Sequence, residues 1–173
     1  LKTKISRADM TVLFIEELKL TELFERFMPS NNNPTFQTPS QMMGNSNFIL
    51  PSDVNNNWAS GWIEEAIKLG VVEADPDGNF YPAEPVTRAG YARAVAKILT
   101  MVTRDESLET RYFGENPSRF SDVSSSHFAY HAMALCSERG IMKADLVTGG
   151  FKPNGNVGGA DALLIIRSVQ TSL

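Results

Sequence analysis

The sequence predicts a mainly α-helical domain of repeated helix-loop-helix units packed as a bundle, with short extended segments between helices. Three observations carry this. The stretch Asp53 to Leu99 reads as one complete unit: Asp53-Val54 and Trp58 lead into an amphipathic pattern, Gly70 stops it, Phe80-Tyr81-Pro82 crosses back, and Val86-Thr87-Arg88-Ala89 opens a second helix. The unit recurs. Ser52, Asp53, Val54, Ala59, Gly70, Ala74, Asp75, Gly78, Phe80, Pro82, Val86 and Ala89 are matched by Ser121, Asp122, Val123, Ala129, Gly140, Ala144, Asp145, Gly149, Phe151, Pro153, Val157 and Ala160, at offsets of 69, 70 and then 71. A partial copy stands first, where Ile5-Ser6-Arg7-Ala8-Asp9 repeats the pattern of Val86 to Gly90, 81 residues upstream. Repeats of this length stack supersecondary units that bury a shared core.

Each element has a local reason. Ser6 followed by Asp9 is a short capping box, and Met10, Leu13, Phe14 and Leu18 fall on one helical face. Thr21 is placed to cap a further turn or two carrying Leu23, Phe24 and Phe27, with Pro29 ending it. From Ser30 to Ser46 the composition turns to Asn, Pro, Thr, Gln and Ser, which reads as linker, pinned by Met42, Met43, Phe48 and Ile49. Trp58, Trp62, Ala66 and Leu69 have the spacing of an amphipathic helix, and Gly70 closes it in the left-handed conformation. Asp75-Pro76-Asp77-Gly78-Asn79 is turn chemistry. Thr87 caps a helix whose apolar face is Tyr91, Val95, Ile98, Leu99 and Val102. Charged residues dominate 104–115 and suggest an exposed boundary. The third copy then uses Phe128, Ala132, Met133 and Cys136, stops at Gly140, and ends in a helix bearing Leu163, Ile166 and Val169. Where the other copies have Ser6-Arg7 and Thr87-Arg88, it has Gly158-Gly159.

The expected organisation is therefore residues 1–28 as the second half of a first repeat, 29–49 as linker, 50–103 as the second repeat, 104–119 as a charged linker and 120–173 as a third, degenerate repeat. A chain of 173 residues buries roughly 70% of its unfolded surface, enough for one core. Net charge is −4 with the cations scattered, which argues against nucleic acid as a partner. No stretch approaches the roughly 18–20 apolar residues of a membrane span. Leu1 opens without a charged and apolar leader, and Lys4 to Leu18 looks like the back half of a repeat, so a fragment of a longer protein is expected. The single cysteine, Cys136, has no internal disulfide partner and suits a small buried hydrophobe.

The order Asp-Val, Trp-Ala, apolar helix, Gly-Val-Val, Asp-Gly-x-Phe-x-Pro, Val-Thr-Arg-Ala resembles the S-layer homology module. The resemblance covers most of 50–102, most of 120–170 and the second half of a copy at 1–20. It implies an extracytoplasmic, cell-surface location, and non-covalent anchoring to the bacterial cell envelope through a secondary cell-wall polymer or other acidic envelope glycan.

Arg7 and Arg88 each follow a hydroxyl cap, Ser6 and Thr87. A helix N-terminus offers unpaired amide donors and partial positive charge, and an adjacent guanidinium adds a forked donor, so each pair makes a site for a carboxylate or phosphate. The resemblance implies that this arginine contacts an acidic, often ketal-pyruvylated, terminal sugar in grooves between repeats. The plainer alternative is an arginine that pairs with a carboxylate of the neighbouring repeat to hold the bundle. Trp58 opens its helix and can keep one edge wet at a groove, whereas Trp62 is expected in the core.

Other signals point to structure. The Asp75 turn echoes a calcium loop, but Val86 stands where its twelfth-position glutamate belongs. His127 and His131 are four apart with no evident third ligand, so no metal is expected; His131 should face solvent and His127 flank the helix start. No nucleophile-base set or phosphate-cradling glycine loop occurs, and Glu16-Glu17 and Glu64-Glu65 diverge on their helices, so no enzyme and no cofactor are expected. The alternative function is a structural assembly module that has lost glycan binding. Self-association is expected if the face of Met10, Phe14 and Leu18 lacks a partner.

Overall fold

The computed structural model describes residues 2–27 and 49–173. Within them the chain is helical, with isolated bridges such as Thr87 to Asn156 in place of a sheet. The fold class is the expected one. Packing divides the chain into two compact units that do not follow the sequence repeats: Ser6–Glu84, and the residues up to Ile5 together with Pro85–Leu173. Each unit pairs the closing helix of one repeat with the opening half of the next.

In the first unit, α1 (Arg7–Glu16) packs against α2 (Leu20–Phe27) and α3 (Ser60–Lys68). The capping box at its start is complete: Ser6 Oγ accepts from the Asp9 N–H at 3.1 Å, and the Asp9 carboxylate accepts from the Ser6 N–H at 2.9 Å. Met10, Phe14 and Leu18 are buried. The apolar face from which self-association was expected is thus covered within its own unit. Thr21 is not a cap: α2 starts one residue earlier, after Lys19 at φ 55°, and the Thr21 hydroxyl donates to the Glu65 carboxylate. The proposed linker and its anchor Phe48 lie outside the described residues, and Ile49 is exposed.

Helix α3 is rotated relative to expectation. Its buried residues are Ile63 and Ala66, with Ala59 just before it, while Trp62 is only half-buried and donates its indole N–H to Glu16 Oε1 at 2.7 Å. An indole N–H needs a polar partner, which the helix rim supplies and the apolar seam against α1 does not. Gly70 ends the helix at φ 76°, as predicted, and the turn that follows brings Phe80 inward to full burial.

In the second unit, α4 (Arg88–Thr103) packs against α5 (Tyr130–Glu138), and α6 (Gly159–Ser172) closes the chain. The predicted face of α4, Tyr91, Val95, Ile98, Leu99 and Val102, is entirely buried. Tyr91 reaches α6 through a hydrogen bond from its hydroxyl to the Ala162 carbonyl at 3.4 Å. Cys136 is fully buried, and burial pushes its thiol up to about 12, so it stays a protonated hydrophobe. Phe128, expected in the core, is 76% exposed. Trp58, its counterpart 70 residues upstream, is also exposed, because both precede the helix and the buried position belongs to the alanine that follows, Ala59 or Ala129.

The charged stretch 104–119 is more than a connector. A 3-10 turn (Glu106–Glu109) docks on α4 and α5, burying Leu108 and Tyr112. Arg119 joins Glu115 at 2.8 Å to Glu138 at 3.1 Å. His131 does not face open solvent as expected. It is half-buried beside the rings of Tyr112 and Phe113, with Nδ1 enclosed and unpaired. His127 does flank the helix start, its Nδ1 accepting from the Ala129 N–H at 3.1 Å.

Three equivalent residues tie the repeats together within this unit. Ile5 N–H donates to the Val157 carbonyl at 2.9 Å, Val157 to Val86 at 3.3 Å, and Val86 back to Ile5 at 3.0 Å. All three side chains are buried. At the third cap position a Cβ on Gly158 would lie 3.2 Å from the Thr3 carbonyl oxygen, a tight contact, while the Gly159 N–H donates to the Lys2 carbonyl at 2.8 Å as the Arg88 N–H does to Gly155.

Candidate anion-binding groove

The site grows from the loop that follows each repeat's first helix. Asp122 accepts from the N–H groups of Phe151 at 2.8 Å and Lys152 at 2.7 Å, as Asp53 does from Phe80 and Tyr81 in the preceding repeat. This fixes the Phe-x-Pro segment, whose carbonyls then receive the closing helix of the preceding repeat. Arg88 N–H donates to Gly155 O at 2.7 Å and Ala89 N–H to Pro153 O at 3.0 Å. Thr87 Oγ1 accepts from the Gly90 N–H at 3.1 Å, so it is the predicted cap.

The Arg88 side chain does not project freely past the helix end. Its Nε donates to Phe151 O at 2.8 Å, its Nη2 to Lys143 O at 2.9 Å, and its Cζ stands 4.7 Å from the Phe151 ring centroid. Arg7 is held the same way, by Phe80 O at 2.7 Å, Glu73 O at 3.2 Å and the Phe80 ring at 4.6 Å. Ring stacking and two carbonyls fix the plane of each guanidinium and leave three of its five N–H donors uncommitted to these bonds. Asp75 lies 3.7 Å from Arg7 Nη2, whereas among the described residues no carboxylate comes within ion-pairing distance of Arg88. Half-burial lowers the Arg88 pKa, with Asp161 and Asp122 acting more weakly in the opposite direction.

Arg88 opens on a groove of about 560 Å³ between the 140–143 turn and α6. Lys143 and Arg167 add positive charge to its lining, Asp161 adds one carboxylate, Ile141, Met142, Leu164 and Ile165 make it half apolar, and Ser168 and Thr171 add hydroxyls. Such a lining accommodates a sugar-sized anion with both a charged end and an apolar ring face. Of the other predicted site residues, Ser6 completes its capping box and Trp58 is 63% exposed, its ring 6.2 Å from that of Trp62. Trp58 does not line the Arg88 groove. Sequence reasoning missed Arg167 and Asp161, which lie on a helix whose own cap and arginine are gone. Among the described residues no cluster of histidine, cysteine and carboxylates is suited to a metal, and no helix is long and apolar enough to cross a membrane.

Comparison with known proteins identifies the family. The S-layer homology domain matches residues 52–92 and 119–163. An uncharacterized cell wall amidase of Bacillus anthracis is 36% identical over 119 residues, 68% of this chain and 20% of the amidase. S-layer protein EA1 of the same organism is 28% identical over 163 residues, 94% of this chain and 15% of that protein. The surface-layer 125 kDa protein of Lysinibacillus sphaericus is 31% identical over 114 residues, 64% of this chain and 9% of that protein. The chain thus spans a fifth or less of these relatives' length, and the catalytic title of the amidase belongs to that longer protein. Residues 52–92 and 119–163 are cell-wall anchoring modules of an envelope-associated protein, and the chain belongs to the S-layer homology family.

Proposed function

We propose that the chain anchors its parent protein non-covalently to the cell envelope by binding the acidic termini of a cell-wall glycan, with Arg88 as the principal anion contact. One observation carries this: a guanidinium oriented by two backbone carbonyls and an aromatic face, with no carboxylate among the described residues paired to it, at the edge of a sugar-sized groove that also holds Lys143 and Arg167. A buried-edge cation without a counterion is costly unless a ligand supplies one. Thr87 supports the site by holding the N-terminus of α4, and Arg7 with Ser6 forms the homologous contact. Trp58 offers an exposed indole for stacking on a sugar ring.

A second reading has one observation behind it. Both arginines grip carbonyls of the following repeat, as struts would, so the chain would be an assembly module that no longer binds glycan. Sedimentation with purified cell-wall sacculi, before and after removal of their acidic polymer, separates the two. Anchoring requires binding that disappears with the polymer; retention of binding by stripped sacculi, or none by intact ones, favours the assembly module.

A further inference from the structure

The two arginines are held alike but neutralised differently. Asp75 stands 3.7 Å from Arg7 Nη2, in an ion pair that is partly solvent-exposed on both sides. Its counterpart in the next repeat is Asp145, and that carboxylate is engaged elsewhere: Lys152 Nζ donates to Asp145 Oδ2 at 3.2 Å, while Asp145 Oδ1 accepts from the N–H groups of Val147 and Thr148, each at 2.9 Å. These bonds, the two backbone donors first and the lysine after them, hold the Asp145 carboxyl well below the usual carboxylate range. Lys152 occupies the position of Tyr81, whose hydroxyl donates to Asp77, a residue replaced by Thr148 in the later repeat. In one repeat, then, the crossing segment uses a tyrosine and leaves Asp75 to the arginine. In the other it uses a lysine, which joins two backbone donors in holding that aspartate elsewhere.

From this exchange we infer that Lys152 is a specificity-determining residue. By holding Asp145 it keeps Arg88 open to an external carboxylate, whereas Asp75 sits as a resident carboxylate on Arg7, which makes Arg7 the weaker of two homologous anion sites. The inference rests on the anchoring function proposed above. A carboxylate beside a guanidinium both satisfies its donors and repels an incoming anion, and because the Arg7 pair is partly exposed the effect is severalfold rather than many decades. The two sites consequently differ in affinity although the arginine, the aromatic face and the paired carbonyls are the same in both.

The test uses the 173-residue chain and a defined probe, a hexosamine bearing one pyruvate ketal, with the same sugar lacking the ketal as control. Binding is followed by calorimetry and by NMR shifts of the two arginine side chains. Arg88→Ala should weaken binding tenfold or more and leave the residual site at Arg7. In that background Asp75→Asn should recover three- to tenfold in affinity, and adding Arg7→Ala should abolish the gain. Lys152→Ala alone should weaken binding at Arg88 severalfold, and the loss should vanish when Asp145→Asn is present, since no carboxylate then remains to be restrained. If Arg88→Ala weakens binding but Asp75→Asn returns nothing, or if Lys152→Ala costs the same with and without Asp145, the inference fails while anchoring through Arg88 stands. If Arg88→Ala, checked as folded by its helical circular dichroism, binds as the wild type does, both fail together.

Discussion

Arg88 lies over the ring of Phe151 with its Cζ 4.7 Å from the centroid, and donates from Nε to the carbonyl oxygen of that same residue at 2.8 Å. Arg7 and Phe80 repeat the relationship at 4.6 and 2.7 Å. One side chain therefore serves two purposes, since the bonds that orient the guanidinium for a ligand also fasten the helix to the following repeat. Arg88→Ala should lower stability by about 1–2 kcal/mol, from the loss of charge-assisted hydrogen bonds at a half-buried site. For a chain of this size that is a fall of roughly 2–8 °C in melting temperature, read by a thermal melt. An unchanged melting temperature would show that the two carbonyl contacts carry no stability.

The aromatic residues of the first unit should divide sharply from their neighbour. Ile63 is fully buried, so Ile63→Ala should cost about 2–5 kcal/mol in urea unfolding. Trp62→Ala should cost clearly less, because its ring sits at the helix rim and its main polar partner is the solvent-facing Glu16. Trp58→Ala should change stability by no more than about 0.5 kcal/mol. A larger loss for Trp62 than for Ile63 would place the seam on the tryptophan side.

The caps provide a graded series. Ser6→Ala removes a complete capping box and should cost about 1 kcal/mol, and Thr87→Ala, which removes a single bond to the Gly90 N–H, should cost somewhat less. Gly158→Ser should bring no comparable gain, since its Cβ meets the Thr3 carbonyl at 3.2 Å. A stabilising Gly158→Ser would show that the Thr3 carbonyl yields to the new side chain.

His131 should make stability depend on pH. Burial beside Tyr112 and Phe113 lowers its pKa below 6.5, and the partly opposing charge of Glu109 does not reverse this. The unfolded chain therefore binds a proton that the folded chain resists, and stability falls as pH drops below about 6.5. Arg93 and Lys97 line the adjoining cavity with Glu109. His131→Gln should flatten the stability profile just below about pH 6.5 while leaving the loss below about pH 4.5. That lower loss belongs to carboxylates such as Glu115 and Glu138, whose pKa values are depressed by their partners. Identical profiles for the two proteins would exclude His131 as the titrating group.

Much of this was legible in the residues. The capping box at Ser6, the left-handed stops at Gly70 and Gly140 and the buried face of α4 follow from local chemistry that tertiary packing did not override. The phase of α3 was not legible, because Trp62 and Ile63 are both large and apolar, and only the docking of α1 decides which faces inward. Leu108 and Tyr112 were hidden in a charged stretch too short and irregular to show a period. At the site, the repeat pattern found Arg7 and Arg88 but not what holds them, since backbone carbonyls leave no signature in a sequence. The exchange of Tyr81 for Lys152 was visible in the repeats, yet its meaning depends on which aspartate each side chain reaches.

The proposed anchoring stands or falls on one measurement that leaves the protein unchanged: the affinity of the wild-type chain for its wall polymer before and after the polymer's acidic groups are removed. A charge-assisted contact of the kind Arg88 offers contributes roughly 1.5–3 kcal/mol, so removal should weaken binding about ten- to a hundredfold. Equal affinity for the acidic and neutral polymers would mean that Arg88 is a strut alone and that the groove beside it is not an anion site.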